Sequence, residues 1–189
     1  RQFGTHSYRT SVETRRKARA EIERYFSYDV VLYGATRRKG IIWPDDRVLV
    51  PGAFGVAGIN INPMYNLNAC FRAGISLDAQ YDESANIKDH VVGDDRSAEN
   101  IRFYRPPFRE QFGVGLSLRA ELVMPIFSIN LGVGHNVFYQ GEDLKGFYQI
   151  AALKTSITRR LFLHVGYQLR NFKDPNNLML GLGYRFNGR

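Results

Sequence analysis

The sequence lacks the long apolar run that a membrane-spanning helix requires. Such a helix needs about 20 consecutive apolar residues, and no stretch of this 189-residue chain approaches that length. The mean hydropathy, −0.32, is also low. These observations exclude a bundle of spanning helices within this chain. They leave a membrane β-barrel open, because only every second residue of a barrel strand faces lipid.

Cysteine and the common catalytic motifs are scarce as well. Cys70 is the single cysteine, so the chain can form neither an internal disulfide nor a paired-thiolate metal site. The sequence contains no nucleophile elbow, Walker loop, dinucleotide-binding motif or His/Cys metal spacing. It therefore predicts no cofactor and no metal.

The balance of charge is basic, with a formal net charge of +8. A basic chain can bind nucleic acid, lie against an anionic lipid surface, or have no specific anionic partner. Here the basic residues are spread along the chain, and no nucleic-acid-binding motif accompanies them. We therefore expect phosphate-bearing lipid headgroups as partners, and no nucleic acid.

From residue 27 onward the sequence has the features of a barrel. It is rich in aromatic residues (13%) and glycine, which suits strands with aromatic girdles. Large apolar residues alternate with glycine and with charged residues of both signs, so each strand has one apolar and one polar face. Most predicted strands reach the ~9–11 residues that cross a bilayer. The eight predicted strands lie near 27–37, 53–65, 69–82, 109–122, 126–139, 144–157, 160–171 and 177–187.

The connections between these strands alternate in length. Tight turns follow the second, fourth and sixth strands at 67–69, 123–125 and 157–159, whereas long loops follow the first and third at 38–52 and 83–108. This is the pattern of outer-membrane barrels, with both chain ends in the periplasm. We therefore predict an all-β, eight-stranded antiparallel transmembrane β-barrel in the outer membrane of a Gram-negative cell. Weaker alternation in the first, second and sixth strands predicts β-bulges there. A soluble ligand-binding barrel is the alternative.

The predicted barrel occupies residues 27–189 and follows an N-terminal periplasmic segment, residues 1–26. Residues 10–26 predict a short helix, because Thr10 and Glu13 form a capping box. A short apolar stripe follows on a highly charged background. We expect this helix to pack against the barrel, or else to lie at a membrane surface or dock a partner.

The inward faces of the strands predict a packed polar network. An eight-stranded barrel has an interior that side chains about fill, so a transport pore is not expected. The predicted members of the lumen network are Arg119, Glu121, His164, Gln168, Arg170 and Arg185.

Two histidines in the predicted strands are the candidates for a general base. By strand parity, His135 lies on the apolar face unless a bulge turns it inward, and His164 lies in the lumen. A base of this kind needs a nucleophile within hydrogen-bond reach. Ser117, Ser128 and Ser156 are the available strand serines, and their spacing does not pair them with either histidine.

Three stretches of the strand region resemble a known family. FRAGISLDAQYDESAN, NLGVGHNVFYQGEDLKGFYQ and GYQLRNFKDPNNLMLGLGYRF are similar to acyloxyacyl hydrolase-like outer-membrane proteins of the Bacteroides group. These proteins are relatives of the lipid A 3-O-deacylases. The resemblance covers roughly residues 27–187. It implies an eight-stranded barrel that contacts outer-membrane lipid and lipopolysaccharide.

The resemblance also implies a catalytic motif that this sequence does not match. Enzymes of the family use a His-x-Ser-Asn motif in the penultimate strand and a glutamate shortly after it. Here Gln168 replaces the histidine, Arg170 replaces the serine, and Asn171 matches the asparagine. Asp174 and Asn177 follow, without a glutamate. Neither glutamine nor arginine acts as a base or nucleophile near neutral pH.

Two classes of function follow. The first is a non-catalytic outer-membrane barrel that acts as a structural or accessory subunit of a larger complex, such as a barrel-assembly or uptake machine. The second is a lipid A deacylase with a rearranged site, in which His135 or His164 works with a strand serine.

Overall fold

The computed structural model describes residues 24–43, 46–92, 102–172 and 174–187. Most of the predicted helix over residues 10–26 lies outside the described residues. Its last two residues, Tyr25 and Phe26, are strand and not helix, so the prediction is wrong there. They extend the first strand because they pair with Asn66 and Tyr65 of the neighbouring strand.

The described residues form twelve strands, and eight of these build the barrel. The barrel strands are β1 (Tyr25–Arg37), β4 (Phe54–Asn66), β5 (Phe71–Asp82), β8 (Phe112–Val123), β9 (Phe127–Phe138), β10 (Phe147–Ser156), β11 (Leu161–Arg170) and β12 (Asp174–Phe186). Two short hairpins lie in the long loops: β2 (Gly40–Trp43) with β3 (Asp46–Leu49), and β6 (Val91–Val92) with β7 (Arg102–Phe103). A 3-10 helix spans Ile87–His90, and a single α-helical turn spans Phe108–Gln111.

The eight barrel strands pair into one closed antiparallel sheet in the order β1-β12-β11-β10-β9-β8-β5-β4. The ring closes because β1 pairs on one side with β4 and on the other with β12. This confirms the predicted eight-stranded barrel. No helix in the described part of the chain is both long and apolar enough to span a membrane.

The two faces of the barrel wall have opposite chemistry. On β5, Ile75 and Leu77 point outward and are about half exposed, while Arg72 and Asp78 point inward and are buried. The same arrangement recurs on the other strands, so a belt of large apolar side chains covers the outside. A soluble barrel does not expose so large an apolar surface. The alternative of a soluble barrel is therefore excluded.

The two ends of the barrel differ in their connections. The turn end carries the short connections 67–70, 124–126 and 157–160, and the loop end carries the longer 38–53 and 83–111. The connections after β9 and β11 also lie at the loop end. The start of β1 and the end of β12 meet at the turn end, where Tyr28 pairs with Phe186. The predicted tight turns and the two predicted long loops are confirmed, whereas the connection after β11, residues 171–173, is as short as the turns at the other end.

The predicted positions of the β-bulges are wrong. The ladders shift register between Val114 and Gly115 and between Gln168 and Leu169, and not in the first, second or sixth barrel strand. Alternation is weak in those three strands because apolar side chains face the lumen there. Val31, Met64, Ile150 and Ala152 are buried inward-facing examples.

Candidate functional site

Five ionised side chains from five strands meet in the lumen near the turn end, and we call them the turn-end cluster. They are Asp29, Arg72, Glu121, Lys154 and Arg185. Lys154 Nζ lies 2.7 Å from Glu121 Oε2 and 3.1 Å from Asp29 Oδ2. Arg72 also bridges both carboxylates, and Arg185 Nε lies 2.8 Å from Asp29 Oδ1. Two fully buried carboxylates thus share three cations.

A second group, the central cluster, surrounds Asp78 farther toward the loop end. Arg119 Nη2 lies 2.8 Å from Asp78 Oδ1. The hydroxyls of Ser117 and Tyr148 donate hydrogen bonds to Asp78 Oδ2 at 2.7 and 2.6 Å. Ser76 and Asn60 donate to Asp78 Oδ1. Each oxygen of this buried carboxylate therefore accepts at least two hydrogen bonds.

Glycines of β9 make room for the central cluster. A Cβ at Gly132 would lie 2.8 Å from Arg119 Cδ, and one at Gly134 would lie 2.6 Å from the Tyr148 hydroxyl. Both contacts are too close for real carbon atoms. Arg119 and Tyr148 therefore lie across the inner face of β9 because positions 132 and 134 lack side chains.

The carboxylates of both lumen clusters are already paired with cations or hydroxyls. A carboxylate works as a general base or nucleophile only when an oxygen can reach the reacting group. Here the carboxylates of Asp29, Asp78 and Glu121 accept from two or more cations or hydroxyls each. These ion pairs and hydrogen bonds hold together strands that are distant in sequence.

The six predicted members of the lumen network do not form one group. Arg119 belongs to the central cluster, and Glu121 and Arg185 belong to the turn-end cluster. Arg170 differs from the prediction, because it lies at the loop end and donates to the carbonyl oxygen of Glu142. The reason is its position as the last residue of β11, where the lumen opens.

His164 and Gln168 are buried in the lumen, but they do not join the clusters. Both ring nitrogens of His164, and Oε1 of Gln168, have no hydrogen-bond partner among the described residues. Phe162 lies between His164 and the turn end on the same inward face, with Lys154 Nζ 5.1 Å from its ring centre. Both residues thus lie in the lumen as predicted, but the His164 ring and Gln168 Oε1 make no hydrogen bond among the described residues.

Several members of the clusters are not among the residues predicted from the sequence. Asp29 and Lys154 lie on β1 and β10, where apolar inward-facing residues obscure the alternation. Arg72 and Asp78 lie on the polar face of a clearly alternating strand, so their parity alone could have identified them. The sequence does not indicate that Tyr148 faces the lumen, because an aromatic residue near a strand end also fits an outer aromatic girdle.

Among the residues that the structure describes, neither candidate histidine pairs with a serine. His135 points outward, as parity predicted, and its ring packs edge-on against Phe147 with ring centres 4.9 Å apart. His164 points inward, where Ser117 is already bonded to Asp78 and Arg119. By parity Ser128 and Ser156 share the inward face of their strands with buried Asn130 and Lys154.

A third group, the loop-end cluster, ties three loops together. Asp143 forms an ion pair with Lys39 and accepts the Asn86 backbone N–H at 3.0 Å. Lys88 Nζ and Arg170 Nη1 lie 3.8 and 3.7 Å from the same carboxylate. Asn86 is left-handed, with φ of 57°, and its Oδ1 accepts the Asp143 backbone N–H at 3.0 Å.

Burial and charge shift the ionisation of the loop-end cluster. Burial acts to raise the pKa of Asp143, but the hydrogen bond and charge of Lys39 outweigh it and hold that pKa below its ordinary value. Burial lowers the pKa of Lys39, and its hydrogen bond to Asp143 opposes the shift only in part. Among the described residues, no group of three or more His, Cys, Asp or Glu side chains is placed to hold a metal ion.

One protein family matches most of this chain. The family described as "Acyloxyacyl hydrolase, C-terminal domain" matches residues 26–188. No curated protein matches the sequence.

Similar solved structures include Ail, the attachment invasion locus protein of Yersinia pestis. Its crystal structure in complex with the heparin analogue sucrose octasulfate is 19% identical over 85% of this chain and 98% of that chain, with a TM-score of 0.45. Another Ail crystal structure is 17% identical over the same shares, with a TM-score of 0.45. The backbone structure of Ail in a phospholipid bilayer nanodisc is also 17% identical, over 85% and 99% of the two chains, with a TM-score of 0.41.

Proposed function

The chain belongs to the acyloxyacyl hydrolase C-terminal domain family and is a small outer-membrane β-barrel, and from this premise we propose that it is a non-catalytic member. In this proposal it serves as a structural or accessory subunit of a larger outer-membrane complex. The observation that carries the proposal is the identity and placement of Gln168 and Arg170, which stand in the stretch that most resembles the family's catalytic motif.

Neither position can supply the family's chemistry. The Gln168 side chain is buried inside the lumen, and its amide has no basic lone pair near neutral pH. The Arg170 guanidinium contacts the carbonyl of Glu142 and the carboxylate of Asp143, so it holds a loop in place. An arginine in this role is permanently protonated and cannot act as a nucleophile.

The lumen gives the proposal further support. Its carboxylates are saturated by cations and hydroxyls that come from strands far apart in the sequence, as Asp29 and Lys154 show at 3.1 Å. Such a network fixes the relative positions of strands. A rigid barrel of this kind suits a subunit that presents fixed surfaces, namely its outer wall and its loop end, to other outer-membrane components.

A second candidate, a lipid A deacylase with a rearranged site, rests on His135. This histidine lies on the outward wall beside Phe147, where a lipid can reach it, whereas His164 is enclosed in the lumen. A deacylase of this kind also needs a nucleophile. The serines of the described barrel strands all have inward parity, so His135 would have to activate a water molecule.

The non-catalytic barrel and the deacylase can be distinguished in the outer membrane of living cells. The wild-type chain and its His135→Ala and His164→Ala variants are expressed in a Gram-negative host that lacks a lipid A deacylase. Lipid A is then extracted and its mass is measured. Heat-modified gel mobility shows that each barrel is folded. We expect unchanged lipid A in all three strains, and loss of an acyl chain that depends on either histidine would establish the enzyme.

The accessory role needs its own measurement. Cross-linking in intact cells of the source organism, followed by purification in detergent, tests whether the barrel is part of a complex. We expect a stoichiometric outer-membrane protein to be cross-linked to the outer wall or the loop end. A chain that purifies only as a monomer under these conditions would contradict the accessory role.

A further inference from the structure

The turn between β10 and β11 carries two arginines at the turn end of the barrel. The Thr158 hydroxyl accepts the backbone N–H groups of Arg160 and Leu161 at 3.3 and 3.0 Å. The Leu161 carbonyl accepts those of Ile157 and Thr158 at 2.9 and 3.0 Å. These four hydrogen bonds fix the backbone of the turn, and Arg159 and Arg160 are exposed on it.

The Arg160 guanidinium reaches the outer side of the barrel wall. Its Nη1 donates to the Tyr184 hydroxyl at 3.3 Å. By strand parity Tyr184 and Phe186 point outward, and their rings pack edge-on with centres 4.7 Å apart. Outward aromatic residues at the end of a barrel strand form the girdle that lies at the level of the lipid headgroups. The guanidinium is therefore placed where lipid phosphates lie.

The exposed charge at this end of the barrel is of one sign. The carboxylates that the described residues bring to the turn end are Asp29 and Glu121, and both are fully buried beside the three cations of the turn-end cluster. None of the ion pairs formed within the described ranges includes Arg159 or Arg160. At the loop end, in contrast, carboxylates such as that of Glu142 are exposed. The turn end thus presents unpaired cations to the membrane interface.

These groups suit the phosphate of a lipid with a net negative headgroup. The short turns of outer-membrane barrels lie on the periplasmic side, where the leaflet consists of glycerophospholipids. A guanidinium can donate two parallel hydrogen bonds to a phosphate. The Tyr184 oxygen accepts from Arg160, so the Tyr184 hydroxyl keeps its own hydrogen for another acceptor. The ammonium group of phosphatidylethanolamine would meet no exposed carboxylate among the described residues of this end.

We propose that Arg160 and Tyr184 bind the phosphate of an anionic glycerophospholipid of the phosphatidylglycerol type in the periplasmic leaflet. Arg159 adds a second positive charge on the same turn, and basic residues at a membrane surface attract anionic lipids. This inference gives the expected contact with lipid headgroups a place and a lipid class. It goes beyond the accessory role and does not depend on it.

The experiment measures which lipid the intact chain retains. The barrel is purified and delipidated in a maltoside detergent, and it is then equilibrated with equal amounts of phosphatidylglycerol and phosphatidylethanolamine. Native mass spectrometry counts each lipid on the folded barrel. We expect the wild type to prefer phosphatidylglycerol by about 5-fold or more. Equal retention of the two lipids would overturn the proposal.

Three variants test the place of binding. Arg160→Gln removes the cation and should weaken retention of phosphatidylglycerol by about 5-fold. Tyr184→Phe keeps the ring in the girdle and removes the hydroxyl, and it should weaken retention by about 2- to 10-fold. Lys145→Gln removes an exposed cation at the loop end and is the matched control, which should retain the lipid as the wild type does. Heat-modified gel mobility verifies that each variant is folded.

Two outcomes with these proteins would overturn the site. A loss in Lys145→Gln as large as that in Arg160→Gln would show that the net charge of the barrel attracts the lipid, without a specific place of binding. Displacement of phosphatidylglycerol by an equal concentration of inorganic phosphate would show that the turn binds free phosphate and not a lipid.

Discussion

The turn-end cluster and the loop-end cluster are built from the same chemistry and differ in burial. In both, carboxylates are surrounded by more than one cation. At the turn end Asp29 and Glu121 are fully buried, whereas at the loop end Lys88 is about half exposed beside Asp143. Removing one partner from a buried ion pair leaves an uncompensated charge, whereas an exposed pair is screened by water. The buried ion pairs of the lumen should therefore contribute more to the stability of the barrel than the partly exposed ion pairs of the loops.

The largest effect should come from the turn-end cluster. Asp29→Ala leaves Arg72, Lys154 and Arg185 facing a single carboxylate. We expect the free energy of unfolding to fall by about 3–5 kcal/mol, measured by denaturant unfolding in detergent micelles. Asp89→Ala, at an exposed position of the 3-10 helix, is the control and should change little. A loss at Asp29 no larger than that of the control would remove the difference between the two regions.

The central cluster should show a smaller loss. Arg119→Ala removes the cation that pairs with Asp78, but the hydroxyls of Ser117 and Tyr148 still donate to that carboxylate. We expect a loss of about 1.5–3 kcal/mol, seen as a lower melting temperature and altered heat-modified gel mobility. An unchanged melting temperature and mobility would show that Asp78 does not need its cation.

The stability of the loop end should depend on pH, and this dependence should appear in the hydrogen-exchange protection of the loops. The pKa of Asp143 is lower in the folded state than its ordinary value of 3.8. Its contribution to stability is therefore complete above the unfolded pKa and is lost as the pH falls through the lower, folded pKa. Loop protection, measured by hydrogen exchange, should hold down to about pH 4 and fall below it.

Asp143→Asn is the matched variant for this pH effect. It should abolish the acid-dependent loss of loop protection and weaken the loops by about 0.5–1 kcal/mol at neutral pH. The barrel strands should remain protected in both proteins. A wild-type loop whose protection begins to fall well above pH 4 would contradict the depressed pKa.

His164 should give the smallest effect. Its ring nitrogens have no hydrogen-bond partner among the described residues, so His164→Leu removes no bond. We expect the free energy of unfolding to change by less than about 1 kcal/mol in either direction, measured as for Asp29→Ala. A loss as large as that of Asp29→Ala would place His164 in a bonded network after all.

The sequence predicted the barrel well because its signal is local. Alternation and turn length can be counted along the chain, and they gave eight strands with bounds that differ from the observed ones by a few residues. The strands with apolar inward residues, such as Val31 and Ile150, weakened that signal. They led to bulges being expected where the register is in fact continuous.

The clusters were harder to predict because they depend on register across strands. Parity shows that Arg119 and Arg170 have the same inward direction, but it does not show their depth along the barrel axis. One therefore meets Asp78 and the other reaches the Glu142 loop.

The proposed function is that of a non-catalytic barrel that leaves lipid A unchanged. The most direct test is the mass of purified lipid A after incubation with the folded, detergent-purified wild-type barrel. If the barrel is non-catalytic, the mass spectrum should be identical to that of lipid A incubated without protein. Loss of one hydroxyacyl chain, proportional to the amount of folded barrel, would contradict it.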